Sequence, residues 1–335
     1  MEWLQLSVDD RKKIIDQISI QLKLLPQAIE KDWWVTMVLK ALFSMPFANY
    51  LSFKGGTSLS KCWNLIERFS EDVDIGIDRE FLGFPGELTK TQISDKLRRA
   101  SCSFVRNTMI KELEVRLLQL GIDKSLFTLN VNITRVTTTD PEIIEVIYQS
   151  IFPHMEYVQN RVLVEVSGRS MSEPLEEVEI NSMISLAFPN AQFSDQSFVI
   201  KAVSPKRTFI EKACLLHEEF ANETSDIRVD RMSRHIYDLE KLMDTKVVDE
   251  ALKDTVLYKS VIEHRKKFMG LKGFDYVTLL PQSISFTPPK EVLASWKDDY
   301  IKMQSSMIYG DSLPFDLLIK RIEELNKRFR KIRFE

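Results

Sequence analysis

The sequence predicts an α+β protein in which strands and helices alternate up to residue 203 and helices dominate from residue 204. Apolar side chains recur at helical spacing over residues 57–69. Residues 72–78 alternate strictly between polar and apolar, which is typical of a half-buried strand. Ser204-Pro205 then opens a mainly helical region, because proline suits the first position of a helix. This change of character predicts a domain boundary near residue 204.

The same periodicities predict the other elements. Helices are expected at residues 8–25, 28–43, 57–69 and 91–120, and over most of 204–335 outside a loop near 270–290. Strands are expected at residues 50–53, 72–78, 126–136 and 161–167, with shorter ones at 178–186 and 198–203. We therefore divide the chain into N-terminal helices packing on a core (1–45), the core itself (46–203) and a helical C-terminal domain (204–335).

The net charge of −3 excludes a uniformly basic nucleic-acid binder. A local basic patch lies in the C-terminal stretch and consists of Lys320, Arg321, Lys327, Arg328, Arg330, Lys331 and Arg333. This patch could hold an RNA backbone. A solvated helical face is the commoner explanation of such a run of charges.

Cysteine usage and hydropathy predict a cytoplasmic protein. Cys62, Cys102 and Cys214 are too few for a disulfide framework and form no zinc-binding pair, so a reducing compartment fits best. The first ten residues contain acids and no apolar segment of signal-peptide type. No run approaches the roughly 18 apolar residues that a membrane span needs.

A glycine turn between a strand and a helix is the first candidate binding feature. Glycine allows the backbone to approach a ligand closely. The free N–H groups at the start of the following helix, together with its dipole, suit an anion such as a triphosphate. We predict that this segment holds the phosphates of a nucleoside triphosphate, through Gly55, Gly56, Thr57, Ser58 and Lys61.

Two acids on the next strand are the second candidate feature. Asp72 and Asp74 are two residues apart, so their carboxylates point the same way with Cα atoms about 7 Å apart. Carboxylates aligned in this way are costly unless a cation lies between them. Mg²⁺ (or Mn²⁺) is expected, because Mg²⁺ takes oxygen ligands and keeps substrate phosphates in its shell. Glu165, on the polar side of strand 161–167, is the predicted third metal ligand.

Each of these signals is weak by itself. A glycine pair is usually only a turn, an Asp-x-Asp on a strand is more often a solvated sheet edge, and a lone glutamate such as Glu165 is more often a surface residue. Their order and spacing carry the prediction: one helix and a turn separate Thr57 from Asp72, so the helix start and the acids can meet at one end of the sheet.

Two blocks of the sequence resemble the AbiEii/AbiGii toxins, nucleotidyltransferase-like toxins of type IV toxin–antitoxin and abortive-infection systems. The first block is residues 53–61 (FKGGTSLSK) followed by residues 68–75 (RFSEDVDI). The second is residues 207–212 (RTFIEK), 216–218 (LHE) and 234–239 (RHIYDL). The similarity covers residues 30–245, and the order of the two blocks makes it specific.

The resemblance implies a polymerase-β-like nucleotidyltransferase core, a small mixed sheet flanked by helices, with a mainly helical C-terminal lobe. It implies that Gly56, Ser58, Asp72 and Asp74 hold nucleotide and metal. It also implies that Lys212 contacts the triphosphate and that Asp238 is required for activity, which makes both part of the predicted catalytic set.

Residue chemistry offers alternatives for the second block. Lys212 lies next to an apolar helical stripe, where lysines often only cover apolar surface. Asp238 flanks another such stripe. Arg207 and Arg234 are candidates for phosphate contacts, because guanidinium matches phosphate geometry. His217 and His235 are interpreted as hydrogen-bonding residues between helices, since metal-assisted transfer needs no histidine base.

The reaction that these residues imply is transfer of a nucleoside monophosphate from an NTP to an acceptor hydroxyl. The resemblance favours RNA as acceptor, with the 3′ end of tRNA as the leading case, which would block translation; it also implies a cognate antitoxin as partner. One alternative is attachment of AMP to a protein hydroxyl. Another is a non-catalytic NTP-binding regulator, although no catalytic position looks replaced. The sequence leaves open which NTP is used.

Overall fold

A computed structural model describes residues 1–70, 72–132, 142–154, 159–171 and 173–333 of the chain. The chain divides into two compact units. The first consists of Met1–Cys62 and Phe69–Val203, and the second of Trp63–Arg68 and Ser204–Glu335. The short segment Trp63–Arg68 therefore leaves the first unit to join the second.

In the residues that the structure describes, the first unit combines seven strands with helices. Its described helices are α1 (Glu2–Gln5), α2 (Val8–Leu22), α3 (Pro26–Leu42), α4 (Gly55–Lys61), α5 (Arg98–Phe104), α6 (Ile110–Gln119) and α7 (Met183–Ala187). Its described strands are β1 (Leu51–Lys54), β2 (Asp72–Ile77), β3 (Phe127–Asn132), β4 (Glu142–Tyr148), β5 (Arg161–Ser167), β6 (Leu175–Ile180) and β7 (Phe198–Val203). Two π-helical segments, Gln92–Leu97 and Val105–Met109, flank α5 and join it to α6 in one helical stretch.

The strands form one mixed sheet in the order β3-β4-β5-β2-β1-β7-β6. The pairs β2/β5 and β1/β7 are parallel, and the other neighbours are antiparallel. One face of the central strands is apolar: Val162, Val164 and Val166 are fully buried, and Trp34 of α3 stacks on Tyr148 of β4 at a centroid distance of 5.0 Å. Burial of each such side chain stabilises the fold by about 1.5–3 kcal/mol. Helix α3 therefore lies on this face, whereas the opposite face carries Asp72, Asp74 and Glu165 together with apolar residues such as Leu163.

The predicted α+β class and most elements are confirmed, and two predictions are wrong. The helix expected at 57–69 ends at Lys61, because Asn64 takes a left-handed backbone (φ 50°) that an α-helix does not accommodate. The strand expected at 178–186 ends at Ile180, because Ser182 accepts a hydrogen bond from the Ser185 N–H and caps α7. The expected strand 126–136 begins as β3, and its end lies outside the described residues.

The second unit is built from helices in the part of the chain that the structure describes. They are α8 (Pro205–Phe220), α9 (Ser233–Leu242), α10 (Lys246–Ala251), α11 (Thr255–His264), α12 (Leu293–Ser306) and α13 (Phe315–Phe329). Phe329 of α13 packs between Phe209, Tyr258 and Phe286, with ring centroids 5.0–6.0 Å apart. Across the described ranges of both units, no helix has the length and apolar character to cross a membrane.

Candidate functional site

Strand register in the first unit places the three predicted metal ligands on one face of the sheet. Asp74 of β2 pairs with Glu165 of the parallel strand β5, and Asp72 pairs with Leu163. Because side chains alternate between faces along a strand, Asp72, Asp74 and Glu165 project from the same side. The intervening Val73 and Ile75 are fully buried on the other side, whereas the three acids are only half-buried.

The acids share a face but are not drawn together around one point. Within the described ranges, no three His, Cys, Asp or Glu side chains are close enough to hold a metal ion. The shared face agrees with the alternation predicted for both strands, whereas the register between the strands was not predicted. Metal binding by Asp72, Asp74 and Glu165 stays a prediction.

Gly55 lies directly against Asp74. It has a φ of +80°, and a Cβ atom built on it would lie 1.9 Å from Oδ2 of Asp74. Thr57, two residues further into α4, donates its hydroxyl hydrogen to the backbone carbonyl of Asp72. The glycine turn and the acid strand are therefore joined, and only glycine satisfies both the left-handed backbone and the close approach of the carboxylate.

Replacing Gly55 by alanine is expected to reduce enzymatic activity far more than stability. The added methyl group forces the Asp74 carboxylate to move, and the left-handed backbone costs about 1–2 kcal/mol. Gly83→Ala is the matched control, because Gly83 has a similar φ of +88° but no atom within 4 Å of its added Cβ. Thermal unfolding and an activity assay of both variants test this: equal activity in the two would show that the contact with Asp74 is unimportant.

Two predicted phosphate ligands are engaged within the protein. Ser58 is fully buried, and its hydroxyl donates to the carbonyl of Gly55 over 2.8 Å. The Lys61 ammonium lies 2.6 Å from Oδ1 of Asp32 in α3 and also donates to the carbonyl of Asn181. Asp32 further accepts a hydrogen bond from the Met183 N–H. The structure thus shows Lys61 as the partner of a buried acid, and its role in nucleotide binding stays a prediction.

The second unit contains a buried ion cluster centred on Asp238 of α9. Both carboxylate oxygens accept from Arg68, at 2.6 and 2.7 Å, and Oδ2 also lies 2.8 Å from the Lys212 ammonium. Asp238 is 0% exposed and Arg68 2%. Lys212 lies 3.4 Å from Nδ1 of His235. One carboxylate therefore anchors two cations that come from distant parts of the chain.

The electrostatics of this cluster keep Asp238 ionised. Burial pushes the pKa of Asp238 upward, but the charges of Arg68 and Lys212 outweigh it and hold the pKa below its usual value. Burial lowers the pKa of the Lys212 ammonium, and Asp238 only partly opposes that change. Burial and then the charge of Lys212 place the pKa of His235 well below its usual value, so the imidazole is neutral and accepts from Lys212.

Arg68 is the member of this cluster to which sequence analysis assigned no role. It lies inside the block 68–75 that carries the resemblance, but its partner Asp238 is 170 residues away. The backbone next to it is held in the second unit, because Tyr309 donates its N–H to the carbonyl of Glu67 over 3.0 Å and Arg68 bridges to Ile308. Arg68 lies in the first resemblance block and Asp238 in the second. Their opposite charges were the signal in the sequence that could have indicated their pairing.

Other predicted residues lie in the interior or in surface ion pairs. Arg207 is fully buried and its Nε donates to Glu211 over 2.9 Å, so it faces the interior of the second unit, and a phosphate contact there stays a prediction. His217 bonds Ser285 and Thr278, as its interpretation as a hydrogen-bonding residue requires. In the basic C-terminal patch, Arg321 pairs with Asp244 and Arg328 with Asp249, which lowers the charge available for RNA.

Comparison with known proteins identifies the class of enzyme. The family model described as the nucleotidyl transferase AbiEii toxin of type IV toxin–antitoxin systems matches residues 38–329. The protein is therefore a nucleotidyltransferase. It belongs to the AbiEii toxin family, as the resemblance of its two sequence blocks implied.

A solved structure supports the same fold. The chain is similar to MenT4, a nucleotidyltransferase toxin from Mycobacterium tuberculosis H37Rv, with a TM-score of 0.51 and 16% sequence identity. The match covers 98% of this chain and 91% of that one. At this identity the likeness shows a nucleotidyltransferase-like fold. No protein with curated annotation matches the chain.

Proposed function

We propose that this toxin transfers a nucleoside monophosphate from an NTP to the 3′-terminal hydroxyl of tRNA, assisted by Mg²⁺. The observation that carries the proposal is the face shared by Asp72, Asp74 and Glu165, with Gly55 packed against Asp74. An acid row beside a glycine turn and a helix start combines a place for a cation with a place for phosphates. We further propose that the core has the polymerase-β-like arrangement.

The transfer is a substitution at the α-phosphorus of the NTP. The hydroxyl oxygen of the acceptor forms a bond to that phosphorus, and the bond from the phosphorus to the oxygen that bridges to the β-phosphate breaks. Pyrophosphate leaves, and the hydroxyl proton passes to solvent. The chain's contribution is to position the two reactants and to stabilise the charge on the phosphates, which is how most phosphoryl-transfer sites act.

The residues present fit a divalent cation in donor type and in the face of the sheet that they share, but they are not drawn together around one point. Asp72, Asp74 and Glu165 supply only carboxylate oxygens, the donors that Mg²⁺ prefers. Asp74 and Glu165 are direct neighbours across parallel strands, which lie about 4.8 Å apart. When bound, Mg²⁺ would supply positive charge to the phosphates and favour ionisation of the attacking hydroxyl.

The second unit supplies the remaining proposed roles. Lys212 is proposed to contact the triphosphate, and Arg68 and Asp238 are proposed to hold it in position. Asp238 is fully buried and both of its oxygens are bound to cations, so we infer that it is a positioning residue. A cognate antitoxin is the expected protein partner, as for the type IV toxin–antitoxin systems of this family.

The acceptor is tested by incubating the purified protein with Mg²⁺, total tRNA and each α-³²P-labelled NTP in turn. Label is expected in tRNA with at least one NTP. tRNA whose 3′-terminal ribose has been oxidised with periodate is the matched control, because it lacks the attacking hydroxyl, and it should remain unlabelled. Equal labelling of both tRNA preparations would contradict the 3′ end as acceptor. Label in added protein rather than in RNA would establish the alternative acceptor.

A further inference from the structure

Three arginines line a surface pocket in the helical layer of the first unit. The pocket has a volume of about 390 Å³, and its lining side chains all come from α5 and the π-helical segment that follows it: Arg98, Arg99, Cys102, Ser103, Arg106 and Asn107. Among these described lining residues there is no carboxylate and no aromatic ring. The pocket therefore presents cationic and polar donors to whatever enters it.

Two of the arginines form ion pairs with acids that do not line the pocket: Arg106 with Glu142 and Arg99 with Asp95. Nε of Arg106 donates over 2.6 Å to Glu142 of β4, which is fully buried, so one side of this guanidinium is tethered to the sheet. Arg99 bonds Asp95 one turn earlier in the helix, but both side chains are largely exposed, at 74% and 46%. Such an exposed pair contributes little and exchanges readily with another anion. Arg99 therefore remains able to meet a ligand.

The pocket lies on the side of the sheet opposite the acid row. A Cβ atom added to Gly168, next to the end of β5, would lie 3.4 Å from Leu97 and 3.5 Å from Ser101 of the helical stretch. Gly168 is an even number of residues from the buried Val164 and Val166, so it lies on their face of the sheet. The helical stretch that contacts Gly168 therefore covers the apolar face. A ligand in the arginine pocket is thus separate from a ligand on Asp72 and Asp74.

We propose that this pocket binds the phosphate backbone of the acceptor RNA, as a contact remote from the reacting end. Guanidinium forks match phosphate, and serine and asparagine side chains such as Ser103 and Asn107 also donate to phosphate oxygens. Arg99 and Arg106 are seven residues apart, about 10 Å along a helix, so two separate phosphates of one strand fit better than a single phosphate. The described lining residues offer no aromatic platform on which a base could stack. The choice of RNA rests on the proposed function.

The test is the salt dependence of tRNA binding, measured by fluorescence anisotropy with labelled tRNA. The variant Arg98→Gln/Arg99→Gln removes two charges and should weaken binding several-fold and lower the slope of log K against log salt by about one for each arginine that contacts a phosphate. Lys90→Gln/Lys111→Gln is the matched control, because both lysines are exposed and neither lines the pocket. The control should keep the wild-type slope.

A second, more conservative variant keeps the proposal testable if the double variant does not fold. Arg106→Lys retains the charge that faces the buried Glu142 but loses the guanidinium fork, so it should weaken binding while leaving the slope unchanged. If the salt dependence of tRNA binding by the double variant equals that of the wild type, the proposal is overturned. The arginines would then be suited to binding an acidic protein surface. If the slope falls but no NTP labels RNA, the pocket stands and the proposed acceptor fails.

Discussion

Asp72→Asn and Asp74→Asn are each expected to reduce nucleotide transfer to tRNA by at least 100-fold. Each change removes a negative charge from the acid row on β2 while preserving the size of the side chain. Loss of one element that stabilises charge in the transition state typically costs about 10²–10³ in rate, and loss of a metal ligand should cost no less. The measurement is incorporation of α-³²P label under the conditions used to identify the acceptor.

The control for these variants comes from the residue that follows the strand. Asp78 is an even number of residues from Asp72 and Asp74, but it is exposed. Its carboxylate accepts a hydrogen bond from the Glu80 N–H. Asp78→Asn can still accept that bond and should retain full activity. Transfer that survives both Asp72→Asn and Asp74→Asn would rule out the acid row as the metal site.

Asp238→Asn is expected to destabilise the second unit by about 3–5 kcal/mol, because breaking a buried ion pair leaves uncompensated charge in the interior. Here the change leaves Arg68 and Lys212 buried with no carboxylate between them. Asparagine has nearly the same shape, so lost packing is not the cause. Urea unfolding followed by a probe in the second unit gives the free energy of unfolding.

An exposed aspartate near the end of the same helix serves as the comparison. Asp244 bonds Arg321 but is 67% exposed in its side chain. Asp244→Asn should change the free energy of unfolding by no more than about 1 kcal/mol, as for other surface pairs. If Asp238→Asn were as stable as Asp244→Asn but inactive, Asp238 would act directly on substrate and not as a positioning residue.

Much of the first unit was predictable because its signals are local. The alternation of residues 72–78 and 161–167 depends only on the two-residue period of a strand, and the structure confirms both strands. The same alternation also indicated that Asp74 and Glu165 each lie on the polar side of their strand, which is the face that they share. The helix predicted at 57–69 was wrong because the apolar spacing continued past Lys61, while the backbone turned at Asn64 and the chain crossed into the second unit.

The partners of charged residues were not predictable in this way. Lys61 has the position of a phosphate ligand in the sequence, but in the folded chain it meets Asp32, and Arg207 is fully buried beside Glu211. A lysine or arginine is equally suited to an acid of the protein and to a phosphate of a ligand. Which of the two it meets depends on what packs beside it.

By itself, the sequence determined the order of most elements, although strand β4 and helix α7 were not predicted. It also determined the glycine turn before an acid strand and the family to which the chain belongs, because turn chemistry, periodicity and motif spacing are properties of neighbouring residues. Only the tertiary structure decided that Asp74 lies beside Glu165 and against Gly55, and that Asp238 holds Arg68 from 170 residues away. Strand register and burial arise when distant segments meet, and they determine which charges lie in the interior and which face solvent.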